Sequence, residues 1–163
     1  MFDSVAFAVF SSTMIRHILF FLFFLPVLLW SNTLEEVRSK FPKVVSDSEL
    51  CKSLITDLTS KRNITSTEKA YLGALQTIWA NHTNSPISKW KTFQRGKDNL
   101  EAAVLQSPNN VEIRLLRYSV QSNCPRFLNY YRDMEGDKSY IQQRKTQLKH
   151  PQVLKMYNTL FKS

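Results

Sequence analysis

Glycine is scarce in this chain, with three residues in 163. That leaves no Gly-rich loop of the kind that cradles phosphates, and no Gly-x-Ser-x-Gly elbow surrounds any of its serines, so nucleotide hydrolysis and elbow-type acyl transfer are disfavoured. Histidine is equally rare. His82 and His150 in the polar part of the chain stand far apart, without a Cys, His or carboxylate at ligand spacing, which argues against zinc. The spacing Asp133-x-Glu135-x-Asp137 has the look of the first ligands of a calcium loop, but Gly136 falls one place early and Arg144 stands where a bidentate Glu is needed. These acids are read as solvated turn carboxylates, so no metal and no cofactor is expected. Strand-like alternation is almost absent, and so are low-complexity linkers, which points to one helical domain.

What the chain does have is a marked start. Met14-Ile-Arg16-His17 precedes the apolar run Ile18 to Trp30, and Ser31-Asn-Thr33 then switches the chain to polar sequence. A basic stub, a short apolar stretch and small polar residues form the layout of an export signal, whereas a spanning helix needs about 20 apolar residues. Residues 1–33 are therefore read as a signal peptide cleaved between Trp30 and Leu34, with 34–163 as the single domain. The segment before Met14 holds Asp3 and no base, which points to Met14 as the true start. An uncleaved membrane anchor is the alternative.

Lysine and arginine outnumber the acids, 22 to 13, for a net charge of +9, and the bases are scattered among acids instead of forming one block. In an exported, periplasmic protein such a field favours a protein, a peptide or an anionic envelope component over nucleic acid. Membrane contact is expected only through the N-terminal segment, if that is retained. Cys51 and Cys124 are the only cysteines. An oxidising compartment would allow them to pair, a bridge worth roughly 4 kcal/mol by the chain-entropy model. The other reading is two small buried thiols, and geometry decides between them.

Helix signals recur along the domain. Ser46-Asp-Ser-Glu49 reads as a capping box before Leu50, Leu54 and Leu58, giving a helix over about 47–60. Thr65-Ser-Thr-Glu68 repeats the signal before Tyr71, Ala74, Leu75, Ile78 and Trp79. Ser85-Pro86 opens a long helix with Trp90, Phe93, Gly96, Leu100, Ala103 and Val104 on its inner side, ending before Pro108. Val111 to Ser122 carries two apolar faces, Ile113, Leu116 and Val120 on one and Val111, Leu115 and Tyr118 on the other, so this helix is expected to be sandwiched. Phe127 to Tyr131, Asp137 to Leu148 and a last helix from Pro151 follow, and Leu34 to Phe41 forms one more at the start. The expected fold is all-α, a compact bundle of six or seven helices.

Gly96, Leu100, Ala103 and Pro108 stand at the offsets of a tetratricopeptide helix junction, so the middle of the bundle resembles that kind of helix-pair packing. A wider resemblance rests on Ala70-Tyr71 with Ala74, Pro86 with Lys89, Phe93 and Gly96, Glu112-Ile-Arg114-Leu-Leu-Arg117 with Gln121, Pro125-Arg-Phe127-Leu128-Asn-Tyr130, and Asp137-Lys138 with Ile141. In these segments the chain resembles a family of small exported helical proteins of Bacteroidetes-type bacteria. The resemblance implies export and a helical fold, and no particular activity.

The polar group with most chemical promise is the ridge Arg114, Arg117 and Gln121, with Glu112 nearby in sequence. Between two apolar faces its guanidiniums would be partly buried and would need carboxylates, which Asp137, Glu135 or Asp133 could supply. One reading is a structural clamp joining this helix to the next. The other is a concave anion or peptide site formed by Glu112, Arg114, Arg117, Gln121 and Asp137. The expected function is that of an exported, non-catalytic binding or interaction protein. A small enzyme using Glu112, Arg114 and Tyr71, or a membrane-anchored structural factor, are the alternatives. The basic–aromatic segments at Trp90 and Tyr130 are assigned to the core.

Overall fold

A computed structural model describes residues 33–161. The segment read as an export signal, up to Asn32 and including Met14, lies outside the described residues, as do Lys162 and Ser163. Among the described residues the structure is all-α, with seven helices: α1 (Thr33–Lys40), α2 (Ser48–Ser60), α3 (Ser66–His82), α4 (Pro86–Gln106), α5 (Val111–Ser122), α6 (Met134–Gln143) and α7 (Pro151–Phe161). None of them is long and apolar enough to cross a membrane.

Side-chain caps start four of these helices, α2 to α5. Thr65 Oγ1 accepts from the Glu68 N–H while Glu68 Oε2 accepts from the Thr65 N–H at 2.9 Å, a complete capping box. Asn110 Oδ1 accepts from the N–H groups of Glu112 and Ile113 at 3.0 and 3.2 Å. At α2 the cap is Asp47, not Ser46: its carboxylate reaches the Leu50 N–H at 2.9 Å, and Ser46 instead closes the preceding turn on the Lys43 carbonyl.

Helix α3 is central and is buried all round from Ala70 to Thr77. Its most extensive contact is with α4, and Gly73 and Gly96 make that contact possible. A Cβ on Gly73 would lie 2.6 Å from the Gly96 carbonyl oxygen and 2.8 Å from the Leu100 nitrogen, backbone atoms that cannot move aside. The main core joins Val37 of α1, Cys51, Leu54 and Leu58 of α2, the α3 residues, Leu100 and Ala103 of α4, and Ile113 and Leu116 of α5. A second core lies across α5, where Val111, Leu115 and Tyr118 meet Ile141, Leu148, Val153 and Tyr157. Thus α5 is sandwiched as its two apolar faces require. A third, smaller cluster packs Ala80, Phe93 and Tyr130 together.

Three further expectations change, and the two readings left open for the cysteines are separated. Phe127 to Tyr131 is not a helix. The chain makes one 3₁₀ turn, Arg126–Leu128, which Asn129 ends in the left-handed region at φ 53° while donating its N–H to the Arg126 carbonyl. Asp137 to Leu148 does not run straight either. Helix α6 starts earlier, at Met134, and i to i+3 bonds from Arg144, Gln147 and Leu148 tighten its end and turn Leu148 back onto α5. Trp90 is not a core residue but is 52% exposed, because α4 turns Phe93, Gly96 and Leu100 inward and leaves Trp90 beside that face. Cys51 and Cys124 are both free. The Cys51 thiol sits in the main core against the Leu75 carbonyl, whereas Cys124 lies at the edge of the third cluster.

Alanine is the better helix former by about 1 kcal/mol, yet Gly73→Ala and Gly96→Ala are each expected to destabilise the fold by about 1–3 kcal/mol through overpacking. Gly136→Ala in α6, where an added methyl meets nothing within 4 Å, is expected to stabilise it by up to about 1 kcal/mol. Urea midpoints of the three variants check both signs. Burial pulls the Glu68 carboxyl upward, but hydrogen bonds from Lys61 and from the Thr65 N–H and hydroxyl outweigh it and hold the pKa below its ordinary value. A pKa lowered by folding stabilises fully above the unfolded value and loses that contribution as pH falls through the folded one. Glu68→Gln is therefore expected to cost about 1 kcal/mol at neutral pH, the scale of one cap bond. In acid below the folded pKa it should match the parent, which urea unfolding at the two pH values measures.

Candidate functional site

The ridge on α5 brings Arg114 and Arg117 to one carboxylate. Asp137, fully buried on α6, accepts from Arg117 Nε at 2.7 Å through Oδ2, and from Arg117 Nη2 at 2.9 Å and Arg114 Nη1 at 2.7 Å through Oδ1. The Arg117 pair is bidentate, the geometry in which a guanidinium and a carboxylate match best. The remaining donor edge of Arg117 reaches Glu101 Oε2 on α4 at 2.8 Å, and Glu101 Oε1 accepts from the Tyr130 hydroxyl at 2.6 Å. Burial works against the Arg117 charge, but Asp137 and then Glu101 outweigh it and raise the pKa further. Tyr130 is raised by its own burial and then by Glu101, so its phenol stays a proton donor. Arg114 also donates from Nε to the Pro108 carbonyl at 2.7 Å, and its guanidinium stacks on Tyr140.

Of the other carboxylates considered as partners, Asp133 comes only within 3.7 Å of Arg117, and Glu135 is exposed and without an ion pair among the described residues. The three acids of the calcium-like spacing thus sit at the start of a helix, with Asp137 occupied by guanidiniums. Among the described residues there is no group of three or more His, Cys, Asp or Glu that could hold a metal. Gln121 is buried next to this network but outside it, with neither amide atom hydrogen-bonded to protein.

Glu112 is not part of the ridge. At about 100° per residue it falls on the opposite edge of α5 from Arg117, and it faces α1 and α3. There Arg38 donates from Nε and Nη2 to its two oxygens at 2.8 and 2.7 Å, and the Tyr71 hydroxyl donates to Oε1 at 2.8 Å. Arg38 also binds Glu35, and His150 Nε2 lies 3.0 Å from the other Glu35 oxygen, which ties α1 to the start of α7. Hydrogen bonding to Glu112 is the main cause of the raised Arg38 pKa. Tyr71 is raised first by burial, then by the Glu112 charge.

Glu35, Arg38 and Glu112 line a cleft of about 660 Å³ whose other wall is the Gln147 to Val153 segment. A smaller cleft of about 300 Å³ lies between Lys97 and Glu101 of α4 and the Asn129 to Asp133 segment. No family model, curated protein or solved structure matches the chain. The chemistry of these clusters therefore rests on their own geometry.

That geometry separates the five ridge candidates into a buried clamp, Arg114, Arg117 and Asp137, a neighbouring unpaired amide, Gln121, and a distant partner of Arg38, Glu112. Sequence reasoning missed Glu101, Arg38, Glu35 and the role of Tyr130. A buried guanidinium between two apolar faces signals that several acceptors are required, but α4 carries Asp98 and Glu101 one turn apart, and only packing selects Glu101. Removing one member of a buried ion pair costs about 3–5 kcal/mol, whereas replacing both by apolar groups is often near neutral. Arg117→Met alone is expected to show that loss, and Arg117→Met with Asp137→Leu to recover part of it, since Arg114 and Glu101 each lose an ionic partner but keep the Pro108 carbonyl and the Tyr130 hydroxyl. A double-mutant cycle by denaturant unfolding tests this.

Proposed function

We propose that this chain is an exported, non-catalytic helical interaction protein. The observation that carries the non-catalytic part is the mutual saturation of its polar clusters. Arg117 is enclosed by Asp137 and Glu101, and Glu112 by Arg38 and Tyr71. Groups so engaged hold helices together and leave no free base or nucleophile at the centre of either cluster. The basic stub, apolar run and polar switch over Met14 to Thr33 support export, as does the resemblance to small exported helical proteins of Bacteroidetes-type bacteria. Recognition would then be a property of the surface: the polar cleft bounded by α1 and the start of α7 suits a peptide or an anionic envelope component.

The enzyme reading changes its membership. Tyr71 and Glu112 do meet, but with Arg38 in place of Arg114, which turns to Asp137. The Tyr71 hydroxyl is buried and aimed at Glu112, so it offers no proton to a molecule in the cleft.

Intact-mass analysis of protein from the native host's soluble and envelope fractions tests the proposal. A soluble species starting near residues 31–34 is expected, and a membrane-bound species retaining Ile18 to Trp30 would overturn the cleaved-export reading. Burial pushes the Cys51 thiol up to about 11. Neither cysteine is bridged, and only Cys124 is partly exposed, so both thiols are expected to be free without reduction, with Cys124 alkylated in the folded protein and Cys51 only after unfolding.

A further inference from the structure

The 3₁₀ turn Arg126–Leu128 and the two aromatic residues after it present an unusual surface. The inward side is well anchored. Tyr130 is 5% exposed, packs edge-on against Phe93 with ring centres 6.2 Å apart, and is hydrogen-bonded to Glu101. Outward, Phe127 is 84% exposed and Tyr131 42% exposed. Large apolar side chains held this far into water by a well-packed base are not explained by the core.

Cations surround them. Arg126 is exposed and lies over the Tyr131 ring at 5.5 Å, Arg132 is exposed, and Lys97 sits over the Tyr130 ring at 5.4 Å. Among the described residues none of the three is ion-paired, while the carboxylate beside them, Glu101, is committed to Arg117 and Tyr130, and Asp133 leans toward Arg117 at 3.7 Å. A further exposed ring is Trp90. It lies two turns before Lys97 on the same helical stripe, about 10 Å along α4, and is half exposed.

We infer that this turn, with Phe127 and Tyr131 exposed on it, docks the domain onto an anionic phospholipid bilayer. Aromatic rings favour the headgroup level of a membrane, and each nearby Lys or Arg adds about 1 kcal/mol of attraction to an anionic leaflet. A soluble polyanion would use the cations but gain nothing from an exposed Phe. A specific protein interface needs about 800 Å² on each partner, more than a few rings on a narrow turn supply. The inference does not depend on the export reading, since it concerns a surface of the folded domain and not the N-terminal segment.

The test uses the full chain with an environment-sensitive nitrobenzoxadiazole dye on Phe127→Cys, Cys124→Ser, with buried Cys51 left in place. Equimolar phosphatidylglycerol and phosphatidylcholine vesicles, with and without brominated acyl chains, are the probe. A blue shift and bromine quenching at position 127 are expected, absent from a control dye on Val45→Cys, which lies at the exposed turn after α1. Adding Arg126→Glu and Arg132→Glu should weaken the signal by about fivefold or more for each cation lost. These exposed side chains make no ion pair among the described residues, and an unchanged urea midpoint would confirm intact folding. A dye at 127 that stays in water, even on vesicle-bound protein, overturns the inference. So does an equal response at Val45, on phosphatidylcholine alone, or with soluble polyphosphate. A shift that grows with protein concentration without vesicles would make the occupant a second copy and would also overturn it.

Discussion

A helix that is apolar on two faces can be buried between two cores only if the polar edges dividing those faces are neutralised inside the fold. Helix α5 imposes this condition on the rest of the domain. Its edge at Arg114 and Arg117 would place guanidiniums in a medium where an unpaired charge costs several kcal/mol. The fold answers with Asp137 from α6 and Glu101 from α4. The opposite edge, at Glu112, draws Arg38 from α1 and the Tyr71 hydroxyl from α3. Four elements are thereby oriented by one helix, and the apolar contacts fill the space between them.

The two networks differ in what they leave open. The Asp137 carboxylate is fully buried and holds α5 and α6 together, and only the outer end of its network, Glu101 and Tyr130, lines the smaller cleft. The Glu112 cluster forms part of a cleft wall, and the Glu35–His150 contact ties that wall to the start of α7. Surface chemistry is divided in the same way. The cleft carries charges of both signs, whereas the Arg126 turn combines exposed cations with exposed rings. The helical scaffold accordingly presents two unlike surfaces, one polar and concave, the other aromatic and basic.

The close approach of α3 and α4 is a second constraint of a different kind. It depends on two glycines facing each other, and it lets Leu100 and Ala103 enter the main core at short range. Gly96 stands out in the sequence because it falls in a recognisable helix-junction pattern. Gly73, its counterpart, carries no local signal, since its requirement comes entirely from the helix that crosses it. The two clusters around α5 show a related limit. Helical phase alone puts Glu112 and Arg117 on opposite edges of α5, whereas their closeness in sequence suggests a single group.

Local chemistry determined the elements. Caps at Thr65, Ser85 and Asn110, proline at first helical positions, and apolar spacing specify the helices and the two-faced character of α5, because these effects act over a turn or two of chain. The sequence also determined that Arg117 would need acceptors, since burial follows from the faces on either side of it. Which acceptors these are was decided only in three dimensions. Glu101 and Asp98 are near-equivalent on α4 until packing chooses one, Cys51 is enclosed by the main core while Cys124 is left at the edge of the third cluster, and Trp90 and Phe127 stay outside because Phe93, Leu100 and Tyr130 are the residues turned inward beside them. Pairing partners and exposure depend on contacts between residues far apart in the chain, and those contacts exist only once every helix has found its place.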